Sequence, residues 1–148
     1  MMHKNSIAVL ALVWAVAVTA QATVAPEQMS LAGVTPGMTI AQLESACGQP
    51  QRKTDDNWHY STFKVEFDDD RPGIVESVSS RVPPTATAAG VAVGQSESVL
   101  VPAYGAPDRK EVDDGETEYE YYTPDASMKL EFDVRGGSIV KISCSLRD

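Results

Sequence analysis

Few side chains in this 148-residue chain could do chemistry. They are one histidine in a strand-like stretch, two cysteines and several runs of carboxylates. His59 has no serine, cysteine or acidic partner at a catalytic spacing. No Gly-x-Ser-x-Gly, phosphate loop, Cys-x-x-Cys or His-Glu-x-x-His pattern occurs. The acidic runs Asp68-Asp69-Asp70 and Asp113-Asp114-Gly115-Glu116 lack the alternating oxygens and glycine turn of a calcium loop. They read as solvated loop tips. The chain therefore reads as non-enzymatic, with no catalytic residue, no metal-ligand set and no cofactor.

What remains is a surface. Alternation with period two points Trp58, Tyr60, Phe63, Val65 and Phe67 one way, and likewise Tyr119, Tyr121, Met128, Leu130 and Phe132. Those residues are expected in the core. The opposite parity brings His59 and Glu66, and Glu118, Glu120, Tyr122 and Glu131, to an open sheet face. With Thr123-Pro124-Asp125-Ala126 as the turn, Tyr122 is expected opposite Ser127, Glu120 opposite Lys129 and Glu118 opposite Glu131. In the earlier hairpin His59 falls by Lys64 and Asn57 by Glu66. Like charges directly opposed are destabilising, so the six residues of this face are the candidate partner-binding site.

The elements that position them come in duplicate. Gly33, Val34, Gly37, Leu43, Ala46, Gly48, Pro50, Arg52, Lys53 and Asp56 recur as Gly90, Val91, Gly94, Leu100, Ala103, Gly105, Pro107, Arg109, Lys110 and Asp113. Lys64, Glu66, Phe67, Asp68, Ile74 and Val75 recur as Lys129, Glu131, Phe132, Asp133, Ile139 and Val140. This is a tandem duplication with one insertion of roughly eight residues. Each copy reads as a capped helix followed by three strands. Thr39 and Gln42 make a capping box, Gly48 ends the first helix, and Pro102 predicts a short or partly 3₁₀ second helix. The expected fold is α+β: two helix-strand-strand-strand repeats, 33–81 and 90–146, joined by linker 82–89. Together they are expected to form one antiparallel sheet of about six strands with the helices on one face.

The N-terminus predicts export. Lys4 precedes the apolar run Ile7–Val18, and Ala20-Gln21-Ala22 has the small-x-small form of a cleavage site. Residues 1–22 are thus expected to be a signal peptide cleaved near Ala22, leaving a periplasmic or secreted domain 23–148 without a stable membrane anchor. In an oxidising compartment Cys47 and Cys144 are expected to pair as a disulfide stapling one repeat to the other. The formal net charge of −9 argues against nucleic acid and favours a partner with a basic surface.

The stretch Gly-Met-Thr-x-x-x-Leu-x-x-x-x-Gly-x-Pro from Gly37 to Pro50, then an aromatic strand and Phe-Asp-x-x-x-x-x-Ile-Val, resembles the SmpA/OmlA-type outer-membrane assembly lipoproteins. It is also similar to the tandem-repeat β-lactamase-inhibitory proteins. The resemblance implies a helix-plus-sheet fold and a role in binding other proteins, as an inhibitor, immunity protein or envelope-assembly accessory. The alternative is a small-ligand or cation-binding periplasmic protein that uses the acidic face.

Overall fold

The computed structural model describes residues 24–148. The expected signal segment and its cleavage site lie outside the described residues. The first half of the chain contributes α1 (Ile40–Cys47), β1 (Arg52–Lys53), β2 (Asn57–His59), β3 (Lys64–Phe67) and β4 (Val75–Ser80). The second contributes α2 (Leu100–Tyr104), β5 (Arg109–Asp113), β6 (Glu116–Tyr122), β7 (Met128–Arg135) and β8 (Ser138–Leu146). All strands join one antiparallel sheet in the order β1-β2-β3-β4-β8-β7-β6-β5.

This corrects the expected fold. The sheet has eight strands rather than six, and the helical part is reduced to two short helices, so the chain is mostly β. The added strands are β1 and β5, one before each expected hairpin. Both are exposed along their whole length and carry Arg52-Lys53 and Arg109-Lys110. They lack the apolar alternation that marks a half-buried strand, because they are the sheet's edges. Charged side chains there discourage edge-to-edge aggregation.

The helices are short for reasons visible in the sequence. Thr39 Oγ1 accepts from Gln42 N at 3.2 Å and Gln42 Oε1 accepts from Thr39 N at 2.9 Å, closing the capping box that starts α1. Gly48 and Gly105 end α1 and α2 at φ 71° and 78° with ψ near −160°, a conformation open to glycine and strained for any other residue. Pro102 sits inside α2, which runs only five residues after a 3₁₀ turn, Glu97–Val99.

One hydrophobic cluster unites both halves. Leu43 from α1, Leu100 and Tyr104 from α2, Val65 and Val78 from the first-half strands, and Tyr121, Leu130, Phe132, Ile142 and Cys144 from the second all belong to it. Tyr104 packs on Tyr121 and Phe132 at centroid distances of 5.2 and 5.4 Å, while its hydroxyl lies 2.6 Å from Thr87 Oγ1 in the linker. The seam is β4 on β8, where Val78 faces Cys144 and Ser79 faces Ser143.

The expected disulfide is absent: Cys47 and Cys144 are both free thiols. Cys144 sits in the middle of the sheet, opposite Val78 on one side and Leu130 on the other. The end of α1 sits instead over its own half, where Tyr60 donates to Gly48 O at 3.0 Å. Cys47 Sγ there lies 4.0 Å from Ala32 O. Burial raises the pKa of both thiols, Cys144 to about 12.

Candidate functional site

Among the described residues, both helices and the buried loops contribute to one core on one face of the sheet. On the opposite face the cross-strand register lines side chains into rows. One row runs through all eight strands: Arg52, His59, Lys64, Ser79, Ser143, Glu131, Glu120 and Arg109. The next row contains Asn57, Glu66, Ser77, Ser145, Lys129 and Tyr122. Five of the six residues expected on the open face lie in these two rows, and Glu118, two residues before Glu120 on β6 and opposite Asp133, shares their parity.

The early hairpin pairs as expected, His59 with Lys64 and Asn57 with Glu66. The later one does not. Tyr122 faces Lys129, Glu120 faces Glu131 and Glu118 faces Asp133, each displaced by two residues from the expected pairing. The cause is the turn. Thr123 N donates to Met128 O at 3.1 Å, so the loop spans more than Thr123–Ala126. Inside it Asp125 Oδ1 accepts from Thr123 Oγ1, Ser127 N and Ser127 Oγ at 2.7–3.0 Å. These bonds, led by the Ser127 hydroxyl, lower the Asp125 pKa to about 2. A slip of two preserves parity, so the face survived the error while the partners changed.

Carboxylates crowd the second half of this face. Oxygens of Glu118, Glu120 and Glu131 all lie within 4.8 Å of one another. Glu120 is 4% exposed. Burial works to raise its pKa, but Tyr122 hydroxyl, Glu118, Lys129 and Arg109 outweigh it and hold it low. Glu118 bears the cost. Burial first, then its hydrogen bond to Glu120 and the charges of Glu131, Glu120 and Asp133, push its pKa up to about 7. Asp133 is also buried and its pKa raised, chiefly by burial, and its Oδ1 has no hydrogen-bond partner. Lys129 Nζ occupies the natural cation position, 2.8 Å from Glu131 Oε2 and 3.5 Å from Glu120 Oε1. The cluster thus holds an ammonium of its own.

The first half of the face is basic. A cavity of about 370 Å³ lies beside His59, Lys64, Ser79, Arg81 and Lys141. Lys64 is paired with Glu66 at 2.5 Å and His59 Nε2 lies 3.2 Å from an Arg52 guanidinium nitrogen. Arg81 and Lys141 make no ion pair among the described residues. Sequence reasoning missed this basic patch because its cations come from four separated segments.

The acidic loops behave as turns. Asp68 accepts from Asp70 N and Arg71 N, both at 2.9 Å, and pairs with the Arg71 guanidinium at 2.6 Å. Asp114-Gly115 forms the tight β5–β6 turn with both residues at positive φ, and Glu116 pairs with Arg135 at 3.2 Å.

No family model matches this chain, and no curated protein matches it. Solved structures similar in fold include the following two. One is a DUF4309 family protein (YjgB) from Bacillus subtilis, with TM-score 0.53 and 17% identity over 78% of this chain and 83% of that one. The other is a cysteine-rich secretory protein from Staphylococcus aureus, with TM-score 0.50 and 13% identity over 83% of this chain and 47% of that one. At these identities the likeness speaks for the fold alone.

Proposed function

We propose that this chain is a non-enzymatic protein-binding module of the periplasm or the extracellular space, presenting the open face of its sheet to a partner with a basic surface. One observation carries the reading: carboxylate oxygens of Glu118, Glu120 and Glu131 lie within 4.8 Å of one another with Asp133 directly opposite Glu118, and burial together with these neighbours pushes the Glu118 pKa up to about 7. A face tuned only for stability would space them apart. A basic surface laid on the patch relieves that repulsion and leaves Tyr122 as an amphipathic contact at the margin. The resemblance to assembly lipoproteins and inhibitory repeats supports the same class of role, and the N-terminal sequence supports export.

Capture of a basic partner from an envelope or secreted fraction tests this. Glu118→Lys and Glu131→Lys should weaken capture at least tenfold, most at low salt. Unchanged capture by both variants would move binding off this face, to the loops at Asp68–Asp70 and Asp113–Glu116. A second reading, binding of a small anion, is favoured by the cavity beside Lys64, Arg81 and Lys141. Phosphate titration followed by NMR shifts at Ser79 and Lys141 separates it from the first.

A further inference from the structure

The two halves of the open face carry the same charge pair in opposite senses. Lys64 and Glu66 on β3 recur as Lys129 and Glu131 on β7. Because β4 and β8 meet antiparallel at the centre, the second copy of the pair is turned end for end. Lys64 consequently lies in one row with Glu131, through Ser79 and Ser143. Glu66 lies in the next row with Lys129, through Ser77 and Ser145.

We infer that this face pairs with the same face of a second copy of the chain, about a twofold axis parallel to the strands. The inference rests on the open face being the binding surface, and names a partner that fits it. Such an axis exchanges left and right across the sheet but keeps each row on itself. The β3 of one copy then lies over the β7 of the other. Lys64 of one copy meets Glu131 of the other, and Glu66 meets Lys129. Within each chain Lys64 already pairs with Glu66 at 2.5 Å and Lys129 with Glu131 at 2.8 Å. Docking closes two squares of alternating charge, one on each side of the axis. The alternative axis, perpendicular to the strands, would set β3 on β3 and β7 on β7; it also opposes lysine to glutamate, but it lays the acidic second half of one copy on the acidic second half of the other.

The centre of the face permits the approach, while at the edges the axis parallel to the strands sets Arg52 over Arg109, whose charge Glu111 and Glu120 offset within its own chain. The central strands present only Ser77, Ser79, Ser143 and Ser145 in these two rows, so nothing bulky stands between the charge pairs. Seven strand spacings of about 4.8 Å and some six residues of about 3.3 Å give a face of roughly 700 Å², close to the ~800 Å² per partner of a stable interface. The net negative charge of each chain opposes association at long range. Beyond about 8 Å that repulsion is screened at physiological salt, whereas paired charges in contact are not. Desolvation offsets much of the pairing energy, so the squares act chiefly by fixing register and rejecting mismatched faces.

Charge exchange tests the geometry. The wild-type chain should show a reversible, concentration-dependent dimer by sedimentation equilibrium. Lys64→Glu with Glu66→Lys keeps the pair within the strand but opposes like charges between copies, and should raise the dissociation constant at least tenfold. Lys129→Glu with Glu131→Lys should do the same. Mixing those two variants restores every contact and should yield a heterodimer, and the fourfold variant should dimerise with itself. Carbodiimide crosslinking of mixed light and heavy wild-type chains gives a check without substitution. Lys64 and Glu131 are three strand spacings, about 14 Å, apart within one chain, so their zero-length link must join two copies. A wild-type monomer at all accessible concentrations overturns the inference, as does a dimer indifferent to both half-swaps. Glu118 lies outside the squares. If Glu118→Lys abolishes partner capture while the wild type stays monomeric, the self-pairing falls and the protein-binding reading stands.

Discussion

Replacing Glu118 by Gln should stabilise the protein, and should do so only above about pH 5. In the folded chain the Glu118 carboxyl holds its proton up to about pH 7, because burial, Glu120, Glu131 and Asp133 all disfavour its charge. Its ordinary value is 4.5. A carboxyl whose folded pKa is raised binds its proton more tightly folded than unfolded. The associated stability is fully present below about pH 4.5 and is lost as pH rises through about 7. The distance between those two values sets an upper bound of about 3 kcal/mol. Glu118 remains partly exposed, and water and salt screen its neighbours, so about 1 kcal/mol is expected. Gln keeps the shape and donates to Glu120 as protonated Glu118 does, yet never ionises. At pH 8 the variant should melt about 3–6 °C above wild type, with the gap narrowing in 0.5 M salt, an ionic strength of about 4 Å Debye length. At pH 4.5 the two melting curves should coincide. Scanning calorimetry at the two pH values decides the matter. Equal melting temperatures at pH 8, or the same gain at both pH values, would refute the electrostatic account of this patch.

Both thiols should be unbridged, and Cys144 should resist Ellman's reagent in the native state while reacting on denaturation, since it is buried and its pKa is raised to about 12. A Cys47–Cys144 peptide in non-reducing mapping of the native protein would contradict the structure. A fragment ending at Arg81 should unfold without a cooperative transition, because removing β8 and β7 exposes Val65 and Val78 of the shared cluster; a sharp melt would show the first half to be self-sufficient.

How much of this was legible in the residues follows from what each signal measures. Parity is read from apolar alternation, and alternation is written by burial. Trp58, Val65, Tyr121, Leu130 and Phe132 are all 7% exposed or less, so the core face and its opposite could be assigned. The edges carry no such writing. All five residues of β5 are exposed, including Val112 at 69%, and no periodicity marks them. A different signal was present: Asp114-Gly115 is the dipeptide a tight hairpin demands. Read as part of an acidic run, it concealed a strand; read as a turn, it requires one on each side. The disulfide expectation failed for a related reason. Compartment and cysteine count say that two thiols could pair, but only topology says whether they approach. The first helix rests on its own half of the sheet, while Cys144 lies under the seam between halves.

Register is the quantity on which the proposed binding depends, and between β6 and β7 it is written in the loop rather than in the strands. The stretch from Tyr122 to Lys129 could close after four residues or after six with the same parity. Asp125 decides it by binding Thr123 and Ser127. That choice sets Glu120, rather than Glu118, against Glu131, and moves Lys129 from opposite Glu120 to opposite Tyr122. Lys129 still reaches back to Glu120 along the diagonal, so the ion pair persists and the uncompensated charge shifts to Glu118 and Asp133. Had the loop closed two residues earlier, β6 alone would have slid, because β7 is fixed to β8 by its own ladder. The charge squares are therefore a property of the duplication and of the central antiparallel seam. The crowded pairing of Glu120 with Glu131 and of Glu118 with Asp133, on which the proposed basic partner would sit, is a property of one turn. A substitution at Asp125 that let β6 slip should thus disturb partner capture and leave self-pairing intact, which makes the two uses of the face separable by a change outside it.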